Sequence, residues 1–514
     1  MLISATSRLI TNLQSLGIRV PDGISGRKGG AGPAEGRAFI LNDIPVNIPI
    51  SANFVSDSPY LLKKVGGKYI LLEDDKEISE IGVVPEPQFY RLQTQDGISY
   101  QKIALFHGNN CLATTVLQEC IFWRSGRSCA FCGTELSLKS GRTTAKKTPP
   151  QLAQVAMAAK DLDGVSHVVL TSGTGDPPSS EISYLADCAQ AIKQASDLPI
   201  HAQFIPPEDL AMLETLKSAG IDTVGIHIES FDEDVLASVA PAKAAMGFKA
   251  YEGAWQEAVR IFGSNQVSSF LIAGLGESPQ SIVWGSEVLA DLGVYPYIVP
   301  LRAIPGSKMA ACAPPAPETM TRIYTAVASI LKRKGLSSHA AKAGCVRCGA
   351  CSALHTYEKQ PAQMTYHSAR NEQEIAEAFA IRHAVFVKEQ GLFETSDVDQ
   401  HDAASIHLVA KIGNETIGTV RVFQPEGNAN GHWIGGRLAV LKRFRKGRAG
   451  AQLVKEAMKR VKKKGATCFT AHIQEKNVPF FKRLGWRPIA SMQNFMNRPH
   501  QKMQADLNQV PDEY

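Results

Sequence analysis

The sequence predicts an α/β protein: a partial (β/α)6 barrel with an N-terminal strand-rich extension, followed by a separate α+β domain. Three observations predict it. Apolar runs rich in branched residues recur six times between Leu112 and Leu301. Amphipathic stretches separate these runs, and repeated strand–helix units build a parallel sheet with right-handed crossovers. After a cysteine-bearing, loop-rich segment the pattern restarts at Tyr366 in a different order, one helix and then several strands. A chain of 514 residues has room for two or three domains.

The extension covers residues 1–106. Its segment Gly23 to Gly36 reads as a glycine-rich loop, and Lys68–Leu72 and Ile98–Phe106 read as strands. The barrel covers 107–335. Its strands are expected at Leu112–Leu117, His167–Thr171, Ile200–Phe204, Thr223–Glu229, Val267–Ile272 and Val294–Leu301. Helices are expected at Gln151–Lys160, Ile182–Ser196, Glu208–Ala219 and Pro279–Leu292. In such an architecture ligands sit at the C-terminal ends of the strands. Residues 336–363 form a cysteine-rich segment, and 364–514 the last domain. There a helix is expected over Glu372–Val387, strands near Ser405–Ile412, Glu415–Phe423 and Trp433–Val440, a helix over Ala449–Lys464 and a strand over Thr467–Ile473.

Composition narrows the function classes. Hydrophobic residues make up 44% and charged residues 20%, the balance of a water-soluble globular chain. No stretch is long and apolar enough to span a membrane, and the first twenty residues lack the apolar core of a signal peptide. A reducing cytoplasm is the expected location, where ten cysteines serve better as metal ligands than as disulfides. A net charge of +6 is too mild to argue for nucleic acid. The excess is uneven, with 23 Lys+Arg against 15 Asp+Glu from Tyr366 onward, which points to an anionic ligand for the last domain.

Cys120, Cys129 and Cys132 form a C-x8-C-x2-C group directly after the first barrel strand. Iron–sulfur clusters usually take four thiolates, so three leave one iron open to a ligand; a zinc site is the alternative reading. With Phe131 between the last two cysteines, the segment resembles the cluster loop of the radical S-adenosylmethionine (SAM) superfamily, whose usual spacing is C-x3-C-x2-C. The turns that follow fit the same resemblance. Thr171 to Pro178 is similar to the glycine-rich turn that binds the SAM amino group, through Gly173 and Gly175. Glu229 and Ser230 end the fourth strand. Phe270 to Ser278 and Pro300 to Ser307 resemble turns of biotin synthase and its relatives. The resemblance implies a [4Fe–4S] cluster, SAM, an electron donor such as a ferredoxin or flavodoxin, and radical chemistry on a small substrate.

Cys345, Cys348 and Cys351 repeat the C-x2-C-x2-C opening of a ferredoxin run without its fourth cysteine. A second [4Fe–4S] cluster, with Cys312 as a possible fourth ligand, and a zinc site both suit this spacing.

In the last domain IRHAVFVKEQG, GGRLAVLKRFRKGRAGAQLVKEA and HIQEKNVPFFKRLGWRP together resemble a GNAT acyltransferase. Leu438 and Val440 end a strand, and Arg445, Lys446, Gly447, Arg448 and Gly450 lead into a helix whose first N–H groups suit the pyrophosphate of acetyl-CoA or another acyl-CoA. Asn477 completes this set. The loop departs from the family by displacing its first glycine one position, and Phe481 stands where a tyrosine often protonates the CoA thiolate. Glu389, Asp397, Asp399, His407 and His472 are the candidates for the transfer base.

These resemblances imply a bifunctional enzyme, radical SAM chemistry plus N-acyl transfer to an amine. Both parts are similar to partners of nitrilase-containing nitrogen-assimilation clusters. A different class of function, a zinc-stabilised scaffold with a CoA-sensing GNAT fold, accounts for the same cysteines. No nucleic-acid or membrane partner is expected.

Overall fold

The computed structural model describes residues 4–26, 36–358, 364–412, 415–425, 427, 431–445, 449–495 and 498–509. Two compact units divide the chain, Ile3–Gln360 and the segment from Pro361 onward.

The first unit is built on a curled sheet of seven strands among the described residues. Six run parallel in chain order: Cys111–Thr115, His167–Thr171, Ile200–Phe204, Thr223–Ile226, Val267–Ala273 and Tyr295–Pro300. Each sits within or overlaps an apolar run read from the sequence, because a strand covered on both faces is continuously apolar. The seventh, Leu105–His107, pairs antiparallel with Cys111–Thr115 at one edge. The edge strands Leu105–His107 and Tyr295–Pro300 are not joined, so the sheet curls without closing.

Helices Pro149–Asp163, Ser180–Ser196, Met212–Ser218, Phe248–Phe262 and Pro279–Asp291 alternate with the strands. Pro149–Asp163 shows why such a helix begins where it does. Thr148 and Gln151 form a reciprocal capping box, with proline at the first helical position. The expected strand over Ile98–Phe106 is instead a short helix, Tyr100–Ile103, before the edge strand.

The extension contributes two three-stranded antiparallel sheets and the helix Ala5–Leu16. One core runs without a break from Ile10 and Leu13 through the barrel strands to Leu354 and Tyr357. The cysteine-rich tail is thus part of the first unit's core. Its helix Gly344–Cys348 packs against the strands beginning at His167, Ile200 and Thr223. Gly344 lies at φ +91°, and a Cβ there would sit 2.7 Å from the His201 ring, so the close approach requires glycine.

Among the described residues the second unit is an eight-stranded sheet with helices Glu372–Arg382 and Ala449–Lys463. Leu453, Val454, Ala457, Met458 and Val461 form the buried stripe of the latter helix. The helix expected over Glu372–Val387 turns at His383 into a π-helical segment, His383–Glu389.

Candidate functional site

In the first unit, Cys120, Cys129 and Cys132 come together on the wall of a cavity of about 330 Å3 inside the curled sheet. They lie beyond the C-terminal ends of the strands. Cys120 precedes the one-turn helix Ile121–Arg124, whose Ile121 N–H donates to the carbonyl of Thr174, 3.0 Å away. Ala130 N–H donates to the Val239 carbonyl at 2.7 Å, anchoring the loop to the far side of the barrel. Thr134 N–H and hydroxyl lie 3.5 and 3.1 Å from Cys132 Sγ. A chain of hydrogen bonds supports that residue: Lys147 Nζ donates to Gln118 Oε1 at 2.9 Å, and Gln118 Nε2 donates to the Thr134 carbonyl at 2.7 Å. Burial lowers the Lys147 ammonium to about 7 and raises the Cys129 thiol to about 12.

Gly173 and Glu229 line the same cavity. A Cβ on Gly173 would fall 2.0 Å from the Glu119 carbonyl oxygen, so only glycine lets this turn run under the cysteine loop. Glu229 holds φ +75°, an uncommon conformation for a side-chain-bearing residue. Its Oε1 accepts from Lys243 Nζ at 2.6 Å, while Oε2 is buried without a hydrogen-bond partner among the described residues. Burial opposes the charge on Lys243, but Glu229 beside it carries the net shift upward. Gly175 and Ser230 are turned elsewhere. Gly175 N–H donates to Glu181 Oε2 at 3.0 Å, and Ser230 Oγ accepts from Asp232 N–H at 3.2 Å.

Cys345, Cys348 and Cys351 line this cavity too, from the opposite end of the strands, together with Cys111. Cys312 is exposed and does not line it. Cys348 raises the Cys111 thiol beside it, and Cys111 in turn lowers that of Cys348. Neither Cys111 nor His107 stands out in the sequence. A lone cysteine at a strand start has no spacing signal, and the cross-strand pair of His107 with Cys111 appears only once the hairpin is formed. Among the described residues, no group of three or more His, Cys, Asp or Glu is spaced to hold a single metal ion.

In the second unit the parallel strands His432–Val440 and Cys468–Gln474 pair only as far as Gly435 with Ala471. Beyond that point, among the described residues, no strand pairs with Leu438 and Val440 on that side, and the Val440 carbonyl accepts from Arg445 Nε at 2.9 Å. A register shift opposite Thr419–Arg421 and a φ of +55° at Arg437 mark the bend. Lys446, Gly447 and Arg448 lie outside the described residues. Gly450 stands near the start of the helix, and a Cβ there would meet no neighbour closer than 3.8 Å. Asn477 is exposed just before the helix Val478–Arg483.

The expected bases are mostly committed elsewhere. Glu389 forms a paired ion contact with Arg445, at 2.5 and 2.6 Å, and this contact lowers its carboxyl. Asp397 and Asp399 belong to a buried network. Arg382 Nε meets Asp397 at 2.8 Å and its two terminal nitrogens meet Asp402 at 2.5 and 2.9 Å. Arg421 meets Asp399 at 2.6 Å and Asp402 at 2.8 Å, and Arg437 meets Asp397 at 3.0 Å and Asp399 at 3.1 Å. His407 is buried, lowered by that burial, and its Nε2 faces the Asp402 carbonyl at 3.1 Å. His472 is exposed on its strand. Phe481 is buried edge-on to Trp486.

The Radical SAM superfamily pattern matches residues 126–283, and the acetyltransferase (GNAT) family pattern matches 370–486. The uncharacterized N-acetyltransferase YjcF of Bacillus subtilis is 31% identical over 140 residues, 27% of this chain and 96% of that protein. The chain joins a radical SAM domain to a GNAT acetyltransferase domain. Bacteriochlorophyllide c C-7(1)-hydroxylase of Chlorobaculum limnaeum is 27% identical over 228 residues, 40% of this chain, so the chain spans about half of that protein, 56%. Among solved structures, Escherichia coli ElaA matches 28% of this chain and 100% of its own at 18% identity, with a TM-score of 0.26. The radical SAM match includes Cys129 and Cys132 and begins after Cys120. No helix among the described residues is long and apolar enough to cross a membrane.

Proposed function

We propose that the radical SAM domain is a partial (β/α)6 barrel that cleaves SAM reductively and abstracts hydrogen from a small substrate, and that the GNAT domain transfers an acyl group from acyl-CoA to an amine. One observation carries the first half: Cys120, Cys129 and Cys132 meet on one cavity wall beside Gly173 and the unpartnered Oε2 of Glu229. These residues fit a three-thiolate [4Fe–4S] cluster and SAM. Three thiols leave one iron corner for a ligand, Gly173 brings backbone where a side chain would collide, and Glu229 offers a buried acceptor to a cationic group. When bound, the cluster and SAM supply one-electron chemistry that the side chains themselves lack. The chain's own residues position and shield it. Lys243 fixes Glu229, the Lys147–Gln118–Thr134 chain fixes the cysteine loop, and Phe122, Val169, Phe270 and Leu301 give the cavity apolar walls.

In the GNAT domain, the backbone at Leu438 and Val440, beyond the last pairing with Cys468–Gln474, suits the amide arm of an acyl-CoA, with Arg445 Nε already held by the Val440 carbonyl at 2.9 Å. The N-terminus of helix Ala449–Lys463 suits its phosphates. Arg445, Lys446, Gly447, Arg448, Gly450 and Asn477 complete the proposed site. Two activities on one chain suit consecutive steps on one small nitrogenous substrate. A zinc-held, CoA-sensing scaffold is not favoured, since both domains match enzyme families.

The test is anaerobic purification of the full chain, iron, sulfide and zinc analysis, and reduction with SAM present. The expected products are 5′-deoxyadenosine and, with acetyl-CoA and an amine panel, free CoA thiol. Zinc in place of iron, with no 5′-deoxyadenosine, overturns the first half. Absence of CoA release across the panel overturns the second.

A further inference from the structure

The floor of the radical SAM cavity carries a second set of thiols with its own supports. Cys345 and Cys348 belong to the helix Gly344–Cys348, and Cys351 follows one turn later. Facing them is the hairpin of Leu105–His107 and Cys111–Thr115, where His107 and Cys111 are direct cross-strand partners and both line the cavity. The Cys111 and Cys348 thiols line the same end of the cavity and lie close enough to perturb each other. The His107 ring lies between two others, Nδ1 3.8 Å from Cys348 Sγ and Nε2 3.8 Å from Cys351 Sγ. Asn47 Nδ2 donates to Cys351 Sγ at 3.5 Å, and Gln203 Nε2 donates to Cys345 Sγ at 3.6 Å. A Cβ on Gly108 would sit 2.8 Å from Cys348 Sγ, so the hairpin turn is bare where the sulfur approaches.

Side-chain donors aimed at sulfur are what an iron–sulfur site uses to orient its ligands and set its potential. A zinc ion with Zn–S bonds of about 2.3 Å needs its donors converged on one point. Among the described residues no group of three or more such donors is placed to hold a single ion.

We infer that Cys111, Cys345, Cys348 and Cys351 hold a second iron–sulfur cluster at the cavity floor, with every corner taken by a protein thiolate. Cys111 supplies the fourth thiolate that the C-x2-C-x2-C run lacks. His107, Asn47 and Gln203 act on the sulfurs and are positioning residues. A cluster closed in this way exchanges an electron and binds no substrate through iron. It faces the same cavity as Cys120, Cys129 and Cys132. The strand Cys111–Thr115 separates the two levels by about 13 Å, at about 3.3 Å per residue.

The full chain carrying Cys120→Ala, Cys129→Ala and Cys132→Ala isolates this site. Purified without oxygen, it is expected to keep about four iron and four sulfide per chain and a reducible cluster signal in EPR and Mössbauer spectra. Adding Cys111→Ala is expected to turn that signal into a three-iron signal on mild oxidation. Cys188→Ala, at a buried thiol outside the cavity lining, leaves it unchanged. His107→Ala is expected to shift the potential and keep the iron count. A triple variant without iron, or with zinc, overturns the inference. So does a signal that Cys111→Ala leaves intact. Either result leaves SAM cleavage by wild-type protein as a separate reading, and a wild type that fails to cleave SAM leaves this site standing.

Discussion

In the GNAT domain the carboxylates of Asp397, Asp399 and Asp402 are all gripped by arginines, whereas in the radical SAM domain Glu229 keeps one buried oxygen unpartnered over a cavity. The contrast extends to three histidines of the same domain, of which His227 lines the cavity. His167, His201 and His227 each keep Nε2 without a partner among the described residues. Burial holds them neutral, lowering His167 to about 4 and His201 to about 3. Buried polar atoms in folded proteins are nearly always satisfied, so an unmet one calls for a specific explanation. At Glu229 and His227, which line the cavity, the open atoms suit a ligand. The Arg–Asp network, with Arg382 fully buried and every carboxylate held by an arginine, is architecture, although Arg421 Nε is itself unmet.

The largest effect that sharpens this contrast comes from the cysteine loop. Cys129→Ala is expected to reduce 5′-deoxyadenosine formation at least 100-fold while CoA release by the GNAT domain stays within twofold. Persistent SAM cleavage would show that the cavity is not the site of this chemistry.

Next is the network itself. Arg382→Met leaves Asp397 and Asp402 short of a partner, and breaking a buried ion pair costs about 3–5 kcal/mol. Hydrogen exchange is expected to show the GNAT domain destabilised by that amount, with the iron content unaltered. An unchanged exchange profile means the network is incidental.

Gly173→Ala comes third. The added methyl meets the Glu119 carbonyl, so the turn must move, and SAM affinity is expected to fall about tenfold by equilibrium binding, with Glu229→Gln giving a smaller loss. The last is a pH effect at Lys147. Its ammonium is lowered to about 7 against an ordinary value of 10.5. Below pH 7 it is charged in both folded and unfolded chains, and the burial of that charge costs its full amount. Between pH 7 and 10.5 the unfolded chain holds the proton and the native one does not, so stability rises with pH, by up to about 1.4 kcal/mol per unit. Lys147→Met is expected to flatten that slope in the radical SAM domain, and an unaltered slope assigns it to another group.

How much of this is legible in the sequence follows from what each signal requires. The strands His167–Thr171 and Ile200–Phe204 are readable to the residue, because branched apolar runs bounded by turns have few other solutions. The triads at 120–132 and 345–351 are readable from spacing. Cys111, His107 and Lys147 are not, since their meaning comes from partners that lie far along the chain. Cys312 has the right chemistry and the wrong place: it is exposed, and Cys111 stands in the cavity where a fourth thiol is expected. Asp397 and Asp399 suggest a base because isolated acids near a cleft do so. Only the fold shows that Arg382, Arg421 and Arg437 have claimed them. Ile98–Phe106 misleads because one short helical turn carries too few residues to establish a period.

In the proposed site the open side of the Cys120–Cys129–Cys132 triad faces bound SAM. Its most direct test is hyperfine spectroscopy of the reduced, full-length protein with SAM carrying 15N in its amino group. Coupling between the 15N and the cluster spin, lost in Cys132→Ala, is expected. A reduced cluster that shows no coupling to the labelled nitrogen while SAM is bound would contradict it.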